Sequence, residues 1–286
     1  MKNALITINY NDYGTTSNFI KNIKDYKILD LIVVVDNNST DDSYQKLKKL
    51  GNDKIKVLKS DKNGGYGYGN NIGIKYAIKK LNICNIIISN PDIVVEESVI
   101  EKLIDDLNSN DNYAVVGPKI NTDGNISKAF KMTNGFKEMI ISIPKIGTIL
   151  KNKIIGYKNS YYKDLTKVDC VSGCFFIAKS EILEKINYFD ENLFLYYEEM
   201  VISKKIKKEG YDIIFDNTIE VIHNHSVTID KSNSDLDKYK VLKQSQMYYL
   251  DNYTNASKLS KFLINNFSKI MEKHYKKKEV TKWKNK

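Results

Sequence analysis

The chain has 286 residues, 42% of them hydrophobic and 28% charged, and a formal net charge of +10. That length buries a sizeable core, enough for one large domain or a domain with an appendage, and the composition is that of an ordinary globular protein. With 3 prolines and 14 glycines it holds no collagenous stretch, and no apolar run reaches the ~18 residues that a membrane span requires.

All 45 basic residues are lysine. No guanidinium fork is therefore available to clamp phosphate, which must be held by backbone N–H groups, lysines or a metal. The charge is uneven: Met271 to Lys286 carries 7 lysines against Glu272 and Glu279, about half of the net charge. Such an end suits an anionic membrane surface or a solvated tail. With only Tyr275 and Trp283 it lacks the spaced aromatics of a base-stacking platform, so nucleic acid is not expected as a partner. Cys84, Cys170 and Cys174 are odd in number, and Met1-Lys2-Asn3 leads straight into a strand-like run without a signal peptide. A reduced, cytoplasmic location follows. Cys170 and Cys174 have even spacing in a strand-like run and can share a face. No further Cys or His lies near them to complete a zinc site, so they read as small buried hydrophobes.

In chain order, Ala4–Asn9, Leu31–Val35, Ile55–Leu58 and Ile86–Ser89 are short Ile- and Val-rich strands. Helical spacing lies between them: Phe19/Ile23, then Tyr44/Leu47/Leu50, then Ile72/Tyr76/Lys80 with Ala77/Leu81. Wholly apolar strands separated by helices predict an α/β fold, a largely parallel sheet covered on both faces. From Asp111 to Ser160 the pattern weakens, with a strand at Ala114–Val116 and an irregular or interfacial segment after it. Val168–Ala178 reads as one strand, a helix runs from near Glu198 to Gly210, and strands at Ile213–Phe215 and Ile219–Ile222 follow. Lys238–Leu250 and Ala256–Lys273 read as amphipathic helices. In the second, Leu259, Phe262, Leu263, Phe267 and Ile270 form a stripe that either packs on its own domain or rests on anionic lipid.

In an open parallel sheet, ligands bind beyond the carboxyl ends of the strands. Here polar or glycine-rich clusters follow four strands in succession: Asn9-Tyr10-Asn11, Asp36 to Asp41, Asp61 to Asn71, and Asn90-Pro91-Asp92. Any one of them is explained by turns and helix caps; four on one edge predict a binding edge. The glycine-rich loop has neither the dinucleotide spacing nor the closing Gly-Lys-Ser/Thr of a P-loop, so a mononucleotide across the strand ends fits better. Asp92, fixed by Pro91, is a carboxylate suited to share Mg²⁺ or Mn²⁺ with substrate phosphates, or to cap the helix through Val99 and Ile100. Glu198 and Glu199 open a helix after the aromatic run Phe194 to Tyr197. Acids in a first turn suit the helix dipole, while the aromatics would desolvate a carboxylate toward general-base duty. His223 and His225, after a strand, can ligate a metal.

Taken together, Ile8 to Asn11, Val35 to Asp41, Asn63 to Gly73, Asn90 to Asp92, Val171 to Phe176, Phe189 to Glu191 through Tyr197 to Glu199, and His223 form a pattern. By it the stretch from Ala4 to Thr228 resembles the family-2 inverting glycosyltransferases of the glycosyltransferase-A fold, especially the rhamnosyltransferase-like branch. The resemblance implies a catalytic domain over residues 1–228 and a basic helical extension over 229–286. It implies a donor-nucleotide site from Thr7, Asn9, Asp36, Asn38, Asp61, Asn63, Gly64, Gly65, Asn70 and Asn90, with Asp36 on the pyrimidine base. Asp92 and His223 would hold a divalent metal, Mg²⁺ or Mn²⁺, and Glu199 would be the general base with Glu198 beside it. The substrates would be a UDP- or dTDP-sugar and a glycan or polyprenyl-linked acceptor, with the protein cytoplasmic or peripheral at the inner membrane face. Three positions depart from the family: Asn90 and Glu199 stand where Asp is usual, and Val201 replaces a further Asp. The last suggests an alternative, a nucleotide-sugar-binding homologue without catalysis.

Overall fold

The computed structural model describes residues 1–224 and 234–284, with side chains described to Glu279. His225 and the expected boundary at 228/229 lie outside the described residues. The first half alternates as read: β1 (Lys2–Asn9), α1 (Tyr13–Ile23), β2 (Leu31–Asp36), α2 (Ser43–Lys48), β3 (Ile55–Lys59), α3 (Tyr66–Leu81), β4 (Cys84–Ser89), β5 (Ile93–Val94) and α4 (Glu97–Asn108). After it come β6 (Tyr113–Thr122), β7 (Asn125–Ser127), α5 (Gly135–Ile141), α6 (Ile146–Ile155), β8 (Leu165–Val168), β9 (Phe175–Lys179), α7 (Ser180–Lys185), α8 (Glu198–Lys208) and β10 (Asp212–His223). Two long helices close the chain, α9 (Asp235–Asn252) and α10 (Lys258–Lys284).

The strands form one sheet in the order β3-β2-β1-β4-β9-β6-β10-β5, with β7 beside β6 and β8 beside β10. Strands β3, β2, β1 and β4 are parallel. The expectation of a largely parallel sheet holds there and is tempered beyond, because β9 runs antiparallel to both β4 and β6. All six residues of β2 are buried, and the pleat explains why each strand is apolar throughout. Leu31, Val33 and Val35 join the layer of Ile74 and Ala77 from α3, while Ile32 and Val34 join Phe19, Ile20 and Leu47 from α1 and α2. Each fully buried aliphatic side chain of this kind contributes roughly 1.5–3 kcal/mol before chain entropy is counted.

Three expectations are corrected. Val168–Ala178 is two strands, β8 and β9, parted at Asp169 to Cys174. Cys170 leaves the sheet to bridge Phe130, and Asn90 N–H donates to the Cys174 carbonyl. The two cysteines therefore do not share a strand face; both are free thiols. The strands expected at Ile213–Phe215 and Ile219–Ile222 are a single β10 with an irregularity between Asp216 and Glu220. There the Asp216 carboxylate accepts from Thr218 N–H and hydroxyl, turning the backbone out of register. The stretch from Asp111 to Ser160 is ordered into β6, a tight β6–β7 hairpin at Asp123 and Gly124 with positive φ, and helices α5 and α6.

Helix α9 is tied to the strap of residues 194–197 before α8 and to the segment before α5. Ser245 Oγ donates to the Leu195 carbonyl at 2.6 Å, and Tyr249 Oη to the Thr133 carbonyl at 2.7 Å. Val201, one of the departures from the family pattern, is buried with Leu193 and Tyr249. An aspartate there would face an apolar contact instead of water. Among the described residues no helix is long and apolar enough to cross a membrane.

Candidate active site

The ends of β4, β6 and β10, Tyr66 after the glycine-rich loop and the start of α8 meet around one cleft of about 840 Å³, lined among others by Asn90, Gly173, Cys174, Glu198, Glu199 and His223; of the expected donor residues only Asn90 lines it. At its centre is the glutamate pair. The chain enters α8 through Tyr196 and Tyr197, both left-handed, at φ 73° and 71°. Two adjacent side-chain-bearing residues in that region carry strain that the surroundings must hold. They do so from both sides. Tyr197 Oη donates to Glu138 Oε2 at 2.7 Å, and Gln246 Nε2 donates to the same oxygen at 2.6 Å. Thr133 donates to the other oxygen of Glu138, which completes a buried polar clasp on the strap.

Glu199 rests on Gly173: a Cβ at that position would lie 2.6 Å from Glu199 Oε1. Only glycine leaves the space. Burial raises the Glu199 carboxyl above its ordinary range, partly offset by the backbone N–H groups of Glu199 itself and Gly173. Glu198 is almost fully buried, and both burial and the neighbouring Glu199 charge push its carboxyl up. Its Oε1 has no hydrogen-bond partner among the described residues, a vacancy that a neutral acid tolerates far better than a carboxylate. The pair thus favours one buried, protonated member and one partly accessible member facing the cleft.

The glycine-rich loop is pinned to this centre. Gly65, at φ 90°, lies so close to the Phe194 carbonyl that a Cβ would come within 2.1 Å of it. The next residue, Tyr66, donates its N–H to that carbonyl at 2.9 Å and its hydroxyl to the Gly173 carbonyl at 2.5 Å. Burial and then the Glu199 charge push the Tyr66 phenol well up, so it stays a donor.

On the other side, β10 pairs antiparallel with β5, setting His223 opposite Ile93, and Asn224 N–H donates to the Asp92 carbonyl. His223 Nε2 then lies 3.1 Å from Asp92 Oδ2, and Thr122 Oγ1 lies 3.5 Å from His223 Nδ1. No cluster of three or more acidic, His or Cys side chains occurs among the described residues. One carboxylate oxygen and one imidazole nitrogen fit a cation that takes its remaining ligands from water and a diphosphate. The cleft thiol of Cys174 is pushed up to about 12 by burial and is an inert neighbour.

The family model for Glycosyl transferase family 2 matches residues 4–186. The chain belongs to that family. The low-salt glycan biosynthesis hexosyltransferase Agl10 of Haloferax volcanii is 26% identical over 237 residues, spanning 82% of this chain and 71% of that protein. Among solved structures, GalNAc-T7 with UDP, GalNAc and Mn²⁺ superposes with a TM-score of 0.62 at 14% identity. It covers 96% of this chain, which spans only 58% of that one. The mannosyltransferase PcManGT from Pyrobaculum calidifontis, with GDP-Man and Mn²⁺, has a TM-score of 0.58 at 13% identity, covering 92% of this chain and 68% of its own. At such identities the likeness shows the fold, and the expected glycosyltransferase-A architecture is the one observed.

In this glycosyltransferase the remaining expected donor residues all lie at the strand ends, in different states. Asp36 is fully buried. Its carboxylate accepts from Asn9 Nδ2 at 2.8 Å, Ser39 N–H at 2.9 Å and Ser39 Oγ at 2.7 Å. It therefore braces the β1 and β2 ends as they stand. Asn38 takes φ 60° in the turn that follows. Asn63 Oδ1 accepts from Asn37 Nδ2 at 3.1 Å, Gly64 packs against the Tyr68 ring, and exposed Asp61 accepts from the Tyr68 hydroxyl. Thr7 Oγ1 and Asn70 Oδ1 are buried without hydrogen-bond partners among the described residues, which marks both for a ligand or water. Asn90 lines the cleft.

Sequence reasoning assigned no role to Gly173, Tyr66, Glu138 or Gln246. Gly173 had a visible signal, a glycine inside the run read as one strand. The Glu138–Gln246 clasp joins residues 108 apart and left none.

Proposed function

We propose that this chain transfers a sugar from a UDP- or dTDP-linked donor to an acceptor hydroxyl with inversion, with Glu199 as general base. The single observation that carries the reading is the partly accessible Glu199 carboxylate, seated on Gly173 in the cleft that His223 and Asn90 also line. Glu199 takes the proton of the acceptor hydroxyl as its oxygen bonds the anomeric carbon. The bond from that carbon to the diphosphate oxygen breaks, and the nucleoside diphosphate leaves with the electron pair. Glu198, held neutral by burial, keeps a second charge out of the site. Asp92 and His223 would hold Mg²⁺ or Mn²⁺, which when bound neutralises charge on the departing diphosphate. The nucleoside lies across the loops around Asn9, Asn63 and Asn70, which Asp36 braces or, after a local shift, reads with its carboxylate.

The rhamnosyltransferase-like pattern of the sequence and the hexosyltransferase relative support a rhamnose or a hexose as the sugar. The acceptor is a glycan or polyprenyl-linked glycan of surface polysaccharide synthesis, taken up at the inner face of the membrane. The apolar far arm of the cleft, with Ile143, Pro144, Leu242 and Met271, supports that acceptor class. The non-catalytic alternative rested on Val201, whose place in an apolar contact with Tyr249 leaves the glutamate pair intact.

Release of nucleoside diphosphate from a panel of UDP- and dTDP-sugars, with Mg²⁺, Mn²⁺ or EDTA, tests the reading. Metal-dependent release from one donor, lost in Asp92→Ala, is expected. Donor binding with no turnover on any glycan or polyprenyl-linked acceptor would overturn it.

A further inference from the structure

Helix α6 is unusual for its sequence. Five of its residues are Ile or Leu, namely Ile146, Ile149, Leu150, Ile154 and Ile155, yet the only residue it buries is Gly147. Helix α10 is turned the wrong way for a packed amphipathic helix. Its inward face carries Ser260, Ile264 and Ser268, while Leu259, Phe262 and Ile270 point outward, each more than half exposed. The stripe read from the sequence as one face is split: Leu259, Phe262 and Ile270 face solvent, while Leu263 and Phe267 are partly buried. Helix α5 adds Phe136, also more than half exposed. The three helices pack together: α5 contacts both of the others, with Gly135 against Ala256 just before α10.

Lysines surround this apolar surface. Residues 134–158 hold Lys137, Lys145, Lys151, Lys153 and Lys158 against the single acid Glu138, which is buried in the clasp. Residues 256–278 hold seven lysines, of which Lys261 and Lys278 pair with Asp251 and Asp235 of α9, against Glu272 in the same stretch. On α10, Lys269 and Lys273 share the outward face with Phe262 and Ile270, as helical spacing requires. Exposed aliphatics and a phenylalanine on one face, rimmed by lysines whose stems extend the apolar area, are the chemistry of a bilayer interface rich in anionic lipid. A second copy of the chain fits poorly, because a two-fold contact would set lysine rims against each other.

We infer that α5, α6 and the outer face of α10 seat this protein on an anionic bilayer surface. The cleft lies behind that surface: Ile143, Pro144, Lys145 and Lys151 line it from the α5–α6 side, and Met271 and Tyr275 line it from the face of α10 opposite Phe262 and Ile270. The seating does not depend on the proposed transferase reading.

Flotation of the full chain with phosphatidylcholine vesicles, and with vesicles also rich in phosphatidylglycerol, tests it. Binding to the second kind only, weakened by high salt, is expected, and Ile149→Glu with Phe262→Glu should reduce partitioning about tenfold or more. Ile83→Glu, at an exposed position just before the central strand β4, should change nothing. Circular dichroism and nucleoside diphosphate release in vesicle-free solution confirm that the doubly substituted protein is folded. The inference is overturned if wild type fails to float with anionic vesicles at low salt, or if the double substitution leaves flotation unchanged. A stable dimer lost on the same substitution overturns it too, in favour of self-association. Loss of nucleoside diphosphate release with flotation intact counts against the transferase reading alone.

Discussion

The two sides of the cleft are built by different means. On the proposed donor side, residues 1 to 94, each loop follows its strand directly, and short turns and neighbouring loops shape it. Asp36 binds Ser39 three residues on, and Asn63 Oδ1 accepts from Gly65 N–H two residues on. On the proposed acceptor side the main ties are distant. Tyr66 reaches Gly173 across 107 residues, Gln246 reaches Glu138 across 108, and the Tyr196–Tyr197 strap is held only by what packs on it. A parallel sheet positions a nucleotide almost by default, because strand ends and helix N-termini converge there. The proposed base has no such default, and the strained segment that carries it is tied down by distant partners.

Substitutions sharpen this contrast. The largest effect should come from Glu199→Gln, which removes the base and leaves the donor loops untouched. Turnover should fall by about 10³-fold with donor affinity unchanged, read by single-turnover kinetics and donor titration. Gly173→Ala comes next. Its methyl would displace the Glu199 carboxylate, and a misplaced base should cost about 10²-fold in kcat with the circular dichroism spectrum preserved. Equal losses in donor affinity would break the division between the two sides.

Further from the chemistry, Gln246→Ala leaves the buried Glu138 short of a donor. It should destabilise the protein by about 1–3 kcal/mol in denaturant unfolding. Acceptor KM should rise about tenfold while donor KM stays constant, because the loosened strap belongs to one side only. The smallest effect should be that of Asn63→Ala, which removes the two hydrogen bonds its Oδ1 accepts in the proposed donor loop, from Asn37 Nδ2 and Gly65 N–H. A severalfold rise in donor KM with kcat unchanged is expected, measured on the same donor.

The same contrast explains what was legible in the sequence. The α/β order, the four strand-end clusters and the start of α8 at Glu198 are encoded in short apolar runs and turn residues, and the structure has them where expected. Three features were not legible. The split of Val168–Ala178 depends on Cys170 leaving the sheet to pair with Phe130, which no local pattern announces. Helices α5 and α6 were hidden because their apolar residues do not alternate between a packed and a solvated face; most stay partly exposed. The resemblance put Asp36 on the pyrimidine base, and only its neighbours reveal that its carboxylate also accepts from Asn9 and Ser39.

The pH dependence of kcat/KM tests the central claim, a burial-raised base at Glu199, most directly. A general base works deprotonated, and burial favours the protonated form. The acid limb should therefore lie above the ordinary glutamate range, with activity rising as pH rises through it, and Glu199→Gln should abolish that limb along with most of the rate. A profile flat through the ordinary glutamate range, or a limb that persists in Glu199→Gln, would contradict the account.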